Sequence, residues 1–186
     1  MKEFPKELTV GKYRLKLLPA SMSLACELYN VFVSDAENMI FWMPNGLPKS
    51  VDDVFNDLVG YDTDKQYCMY YTYDKDVLLG QIGFSRIGWR HGVGTIGYWL
   101  KKEARGKGVV SSILPEIERL GFETFELRKL LIGCDGKNMP SRKIAEKNGY
   151  TLDAFCRQDI VWPDGTIRDN CEYSKLKSEW EKGKQK

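Results

Sequence analysis

The part of the chain best suited to chemistry is a glycine-rich basic turn. The apolar run Gly97-Tyr98-Trp99-Leu100 gives way to Lys101-Lys102-Glu103-Ala104-Arg105-Gly106-Lys107-Gly108, and an apolar helical pattern follows at once from Val109 and Val110. Glycines at 106 and 108 carry no Cβ, so a ligand can approach the backbone closely. The unpaired N–H groups at the start of the next helix point at that ligand, and the helix dipole favours an anion there. The passage therefore reads as a cradle for phosphate or pyrophosphate. It is not a P-loop, because Gly108 follows Lys107 where a Ser or Thr is needed to hold Mg²⁺. It is not a dinucleotide fingerprint either, since Ser111 stands where the third glycine should be. The structural alternative is a tight strand–helix connection with no ligand.

Other reactive residues exclude more than they suggest. Cys26, Cys68, Cys134, Cys156 and Cys171 are odd in number and widely spaced, which gives no disulfide framework and no zinc site. The one histidine, His91, sits in a Gly-flanked turn, so a histidine-based triad or a histidine metal cluster is disfavoured. No metal is expected.

The elements that must position the turn follow from periodicity. Tyr13 to Leu18 alternates as a strand, and Pro19 stops it. Ser21 or Ser23 can cap a helix running to about Phe32. Asp35 to Pro48 reads as irregular, with Phe41 and Trp42 at its surface, and Ser50 starts a helix that ends near Gly60. Gln66–Tyr73, Val77–Ile87 and Gly94–Leu100 read as an antiparallel meander. Val110, Ile113, Leu114, Ile117 and Leu120 recur at helical spacing after the turn, with Pro115 inside the pattern and expected to kink it. A strand over Arg128–Cys134, a helix over Asn138–Asn148 and a hairpin of Tyr150–Trp162 with Thr166–Leu176 complete the order. This is an α+β, or mixed α/β, domain around one central sheet.

The 186 residues suit a single domain over 1–186, with a core at 10–177 and a charged tail at 178–186 that is expected to fray. Net charge is +2, from 28 basic and 26 acidic residues, which argues against a dedicated nucleic-acid or membrane-surface protein. No signal peptide and no apolar run of spanning length is present in the given sequence, so a cytoplasmic location is expected.

Several segments together resemble the GNAT acetyltransferase superfamily. Arg105-x-x-Gly108 resembles its acyl-CoA-binding motif, although Val110 stands where a Gly or Ala is usual. Asn138-x-x-Ser141-x-x-x-Ala145-Glu146-Lys147-x-Gly149-Tyr150 resembles its second signature. Gly80-Gln81-Ile82-Gly83-Phe84, Gly97-Tyr98-Trp99-Leu100 and Tyr173-Ser174-Lys175-Leu176 are closer to the RimJ/RimL branch, the ribosomal-protein N-terminal acetyltransferases and their relatives. The matches span Tyr13 to Trp180.

The resemblance implies a mostly antiparallel, splayed sheet flanked by helices, with acetyl-CoA in the cleft between two splayed strands. It places the pyrophosphate on the N–H groups of Arg105, Gly106, Lys107, Gly108, Val109 and Val110, with Arg105 and Lys107 adding charge. Tyr98, Trp99 and Leu100 would offer backbone groups to the pantetheine arm or the thioester oxygen, and Asn138 would bond the pantetheine amides. Ser141 matches the hydroxyl near the CoA sulfur, as general acid or orienting donor, or simply as a helix-opening residue. Asp159 and Glu103 are the candidate bases, with a water chain as the alternative. Trp42, Trp89, Trp99 and Trp162 are candidates for an acceptor pocket or for the core. A covalent route through Cys134 ranks below direct transfer. The acceptor would be a protein N-terminal amine, including a ribosomal-protein N-terminus, or a small amine; a homodimer is a family possibility. The competing readings are a non-catalytic acetyl-CoA sensor or scaffold, and a phosphate-binding fold without CoA.

Overall fold

Strands pair here because alternating apolar segments are separated by turn residues, and the pairing runs from one edge to the other in nearly sequential order. The computed structural model describes residues 3–39, 41, 43, 46–162 and 164–184. Among them, β1 (Glu7–Val10), β2 (Tyr13–Lys16), β3 (Cys68–Asp74), β4 (Val77–Gly88), β5 (Val93–Leu100), β6 (Lys129–Asp135), β7 (Thr151–Val161) and β8 (Ile167–Leu176) form one sheet in the order β1-β2-β3-β4-β5-β6-β8-β7. Every neighbouring pair is antiparallel except β5–β6, which is parallel.

The helices are α1 (Met22–Ser34), α2 (Ala36–Met39), α3 (Val51–Thr63), α4 (Val109–Arg119), α5 (Met139–Lys147) and α6 (Lys177–Gly183). Ser21 caps α1 by accepting from the N–H of Leu24 at 3.2 Å. Ser50 and Asp53 form a reciprocal capping box at α3. The Val/Ile/Leu stripe of α4 buries Ile113, Leu114 and Ile117 completely against the face that carries Phe84 and Ile96. On the opposite face α1 and α3 pack Leu28, Phe32, Val54 and Leu58 against Tyr71, Leu78 and Trp99.

Three expectations change. Glu7–Val10 is a strand ahead of the first one expected, at Tyr13, and is paired to β2 through Gly11 and Lys12. Ala36–Met39 forms a helix inside the segment read as irregular. The expected fraying at Ser178 onward gives way to α6, because Trp180 packs on Phe122 at 5.1 Å between ring centroids and Glu179 accepts from the N–H of Leu176. Pro115 lies inside α4, which runs to Arg119 and continues as a π-turn over Leu120–Thr124. Pro115 and Ser111 are both exposed, so the Ser111 carbonyl that loses its donor can turn to water. No helix among the described residues is long and apolar enough to cross a membrane.

Candidate active site

The sheet opens in its middle. The parallel pairing of β5 and β6 covers only Val93–Thr95 with Lys129–Leu131. Beyond it, β5 stays bonded to β4 and β6 to β8, so a gap widens between Ile96–Leu100 and Ile132–Asp135. Backbone parity sets what faces the gap. The N–H of Lys101 donates to the carbonyl of Leu79 at 2.8 Å, on the β4 side. Peptide groups alternate along a strand, so those of Trp99 also face β4 while those of Tyr98 and Leu100 face the gap.

Side chains alternate too. Trp99 points to the α1 face, where it meets Phe32 edge-on at 5.5 Å and donates its indole N–H to Gln81 Oε1 at 3.1 Å. Tyr98 points to the other face and crosses to α5. Its hydroxyl lies 2.9 Å from Ser141 Oγ and 3.4 Å from the Ser141 carbonyl. Ser141 is only 8% exposed and is near enough to the Cys134 thiol to oppose the rise in its pKa. Three protic side chains from β5, α5 and β6 thus converge across the gap. Burial holds the Tyr98 phenol well above its ordinary value, opposed by its bond to Ser141. Burial likewise pushes the Cys134 thiol up to about 11. Asn138 is the cap of α5: its Oδ1 accepts from the N–H of Ser141 at 3.2 Å. The oxygen expected to meet a ligand therefore holds the helix that carries Ser141.

The glycine turn lies at the open end. Gly106 and Gly108 sit at φ 71° and 74°, a left-handed geometry costly for any residue with a Cβ. A Cβ at either would meet nothing within 4 Å, so it is backbone shape, not crowding, that selects glycine. Val109 and Val110 are buried and pin the first turn of α4. The N–H of Ser112 is the first to bond within the helix, to the carbonyl of Gly108 at 2.9 Å. The N–H groups of Val109, Val110 and Ser111 precede it and are geometrically free for an anion.

Several expected residues stand elsewhere. Arg105 does not add free charge to the cradle: its Nη2 pairs with Asp35, and its Nε donates to the carbonyl of Leu100 at 3.0 Å. Burial alone would raise the Asp35 carboxyl, but hydrogen bonds from Arg105 and Asn38 hold it below its ordinary value. Lys107 remains the exposed cation of the loop. Asp159 is exposed on edge strand β7, inside an irregular stretch between Cys156 and Ile160, with Asn170 Nδ2 donating to it at 3.2 Å. Glu103 is exposed in the turn Lys102–Ala104 and lines a groove with α1. Neither carboxylate shares a contact with Tyr98 or Ser141 among the described residues.

The tryptophans divide similarly. Trp99 is core, and Trp89 stacks on Phe4 and donates to the Lys65 carbonyl. Trp162 is buried with its indole N–H on Asp135 Oδ2 at 3.2 Å, its ring meets that of Phe41 edge-on at 6.0 Å, and the Arg168 guanidinium lies beside both rings. Trp42 lies outside the described residues. The sequence reading assigned the Tyr98 backbone but missed its hydroxyl; the alternation of Tyr98 with the core residue Trp99 was the available signal. It also missed the buried Asp135 at the end of β6.

A cavity of about 670 Å³ opens on the other face, between α1, α3 and the β3–β4 hairpin. Its floor is Gln81, the residue that holds the Trp99 indole.

Residues 14–151 match the sequence profile of the acetyltransferase (GNAT) domain. A ribosomal-protein-serine acetyltransferase of Escherichia coli (strain K12) is 32% identical over 90 residues, 48% of this chain and 50% of that protein. An uncharacterized N-acetyltransferase, YnaD, of Bacillus subtilis (strain 168) is 29% identical over 108 residues, 58% of this chain and 62% of that protein. The matches thus span about half the length of these curated relatives. Among solved structures, RimL, a ribosomal-protein acetyltransferase in complex with coenzyme A, superposes with a TM-score of 0.80 at 20% identity, covering 91% of this chain and 97% of that one. Spermidine N-acetyltransferase from Vibrio cholerae, in complex with CoA and spermine, does so with a TM-score of 0.80 at 16% identity, covering 91% and 98%. At these identities the two superpositions report the fold.

Proposed function

The chain belongs to the GNAT acetyltransferase family, and from that premise we propose that it transfers the acetyl group of acetyl-CoA directly to a primary amine. The observation that carries the reading is the hydroxyl pair Tyr98–Ser141, which bridges the gap between β5 and β6 at 2.9 Å. A module that only bound the nucleotide would need the glycine cradle but not this pair.

In this reading acetyl-CoA is a substrate laid along the gap. Its pyrophosphate rests on the backbone of Gly106–Val110 with Lys107 alongside, while Arg105 shapes the loop through Leu100 and Asp35. The pantetheine arm follows the peptide groups of Tyr98 and Leu100. An N–H aimed into the gap holds the thioester oxygen as negative charge develops on it. The neutral amine attacks the acetyl carbon; the C–N bond forms and the C–S bond breaks. The nitrogen loses one proton, the sulfur gains one, and the products are an N-acetyl amine and CoA thiol.

Relative acidity defines what the hydroxyls do. A thiol ionises near 8.5 and a free phenol near 10, and Tyr98 is held above that by burial. Neither Tyr98 nor Ser141 is a net acid toward a thiolate. Ser141 instead orients the sulfur and relays a proton made acidic on the nitrogen once the C–N bond exists. The cysteine route is disfavoured by the same measure: a thiol near 11 is thiolate in about one molecule per ten thousand at pH 7. The first proton, from the ammonium, leaves to water, since Asp159 and Glu103 are solvent-facing and away from the pair. The acceptor is a peptide N-terminus, as the names of the ribosomal-protein acetylating relatives suggest, or a small amine.

The test is release of CoA thiol from acetyl-CoA against a panel of amines and N-terminal peptides. Ser141→Ala is expected to lower turnover about 100-fold while leaving the Kd for acetyl-CoA within about twofold, a factor that corresponds to only ~0.4 kcal/mol. Unchanged turnover would remove the relay. Tight binding with no release for any acceptor would favour the sensor reading.

A further inference from the structure

The cavity on the α1–α3 face has a chemistry of its own. At about 670 Å³ it has the size of a small-molecule site. Three carboxylates line it, Asp53, Asp57 and Asp64, against the single cation of Lys49. Two of the three are already engaged. Asp53 Oδ2 accepts from the N–H groups of Lys49 and Ser50 at 2.8 and 3.0 Å, and Asp64 Oδ1 accepts from the N–H of Gln66 at 2.7 Å. Asp57 is exposed and has no ion-pair or hydrogen-bond partner among the described residues, yet it is near enough to Tyr61 to help burial raise that phenol.

Tyrosines supply the rest of the wall. Tyr61 and Tyr67 stack at 4.1 Å between centroids with planes 11° apart. Burial raises the phenols of Tyr67 and Tyr71, so both stay neutral at physiological pH and offer ring faces and hydroxyls rather than charge. An unpaired carboxylate beside stacked aromatic rings attracts an organic cation by Coulomb and cation–π forces together.

The floor connects this wall to the transfer centre. Gln81 is 7% exposed, faces Trp99 across the β4–β5 pairing, and is fixed by the Trp99 indole N–H. Trp99 adjoins Tyr98, whose peptide group faces the gap. Adjacent strands lie about 4.8 Å apart, so the floor on β4 is one strand spacing from β5, whose far edge borders the gap.

We propose that this cavity is the acceptor pocket and that it takes a small amine bearing a second positive charge, a linear diamine or polyamine. The proposal rests on the acetyltransferase reading above. The two amines have different tasks. The reacting nitrogen must be neutral and reach the gap, while the distal ammonium stays charged against Asp57 and the tyrosine rings. A monoamine of equal length forfeits the second contact. An N-terminal peptide without a basic residue leaves the carboxylate unpaired.

The experiment compares 1,5-diaminopentane with 1-aminopentane and with a short peptide bearing N-terminal serine, in CoA-release kinetics on the full chain. The diamine is expected to exceed the monoamine in kcat/KM by tenfold or more, with the excess shrinking as salt is raised. Asp57→Asn is expected to raise the diamine KM at least fivefold and to bring the ratio toward one. Equal kcat/KM for the two amines, a better peptide, or an Asp57→Asn variant with an unchanged diamine KM would overturn the proposal. Calorimetric titration of 1,5-diaminopentane into the protein with CoA gives a second readout. Binding that Asp57→Asn leaves untouched would place the cation elsewhere, and binding without turnover would make the cavity a cation site but not the acceptor pocket. Failure of the acetyltransferase reading itself would look different: acetyl-CoA would give no thermal stabilisation, and no amine would release thiol.

Discussion

The two faces of the sheet are built on different principles. The face under α4 and α5 is closed: Ile113, Leu114, Ile117 and Phe122 are fully buried, and Lys175 pairs with Glu118 at 2.7 Å and Tyr98 with Ser141, while the buried Tyr150 hydroxyl has no hydrogen-bond partner among the described residues. The face under α1 and α3 keeps a cavity, a partnerless exposed carboxylate at Asp57, and Val59 and Tyr61 near 44% exposure. The closed face holds the Tyr98–Ser141 pair and the glycine turn, the proposed transfer centre and nucleotide cradle. The open face leaves room for an acceptor. The difference teaches that stability and acceptor binding are carried on separate sides, so substitutions on one should leave the other intact.

The largest expected effect tests the closed face. Lys175 and Glu118 are a buried ion pair, and Lys175 also lies 4.7 Å from the Tyr150 ring. Lys175→Met strands a buried carboxylate and is expected to cost about 3–5 kcal/mol, whereas pairing it with Glu118→Leu should restore most of that. Denaturant unfolding measures both. The pH dependence has a definite sign. Burial raises the Glu118 carboxyl above its ordinary value although Lys175 opposes it. The native state then binds the proton more tightly than the unfolded state, and stability falls as pH rises between the unfolded and folded values. Without Lys175 that slope should steepen and acid should rescue the variant. A Lys175→Met protein equally unstable at pH 5 and pH 7 would show that Glu118 had found water. Next in size, Leu114→Ala should cost about 2–5 kcal/mol. Val59→Ala, on the open face, should stay within about 0.5 kcal/mol.

The same contrast explains what the sequence disclosed. The glycine turn was legible because its cause is local: two glycines are needed at left-handed φ, and a buried Val pair starts the helix behind them. The meander and the terminal hairpin were legible for the same reason, through turn residues between alternating runs. Long-range partners were not. Arg105 meets Asp35 across 70 positions, and Tyr98 meets Ser141 across 43. β1 is four residues long, too short for alternation to stand out among charges. α6 is a charged segment held by distant partners, Trp180 on Phe122 and its C-cap Lys184 on Glu123. The surroundings of Asp159 were not legible because β7 changes register between Cys156 and Ile160, with Gln158 at φ 55°, and no periodicity carries through such a break. The cavity lies where α1 and α3 meet the β3–β4 hairpin, a long-range arrangement that no local pattern encodes.

A smaller effect tests the hydroxyl pair. Tyr98→Phe keeps the ring on β5 and removes only the bond to Ser141. Turnover is expected to fall about tenfold, the equivalent of ~1.4 kcal/mol, and the pH dependence of kcat should change shape, because the proton path loses a member. A purely structural role for Tyr98 would lower stability and leave the profile where it was.

A smaller effect than that of Tyr98→Phe belongs to the open face and tests its independence. Ser50 Oγ accepts from the N–H of Asp53 at 3.1 Å, closing the capping box of α3, and α3 carries Asp57 and Tyr61 one and two turns on. Ser50→Ala should cost about 1 kcal/mol in unfolding. Loosening the first turn of α3 should weaken acceptor binding, because the capped end sets where Asp57 stands. It should not touch acetyl-CoA, whose proposed contacts come from β5, α4 and α5, none of which bonds α3. The expected pattern is a raised KM for the amine with an unchanged Kd for acetyl-CoA. A parallel loss of both would mean that the sheet transmits the disturbance from one face to the other, through Gln81 and Trp99, the hydrogen-bonded pair beside the gap.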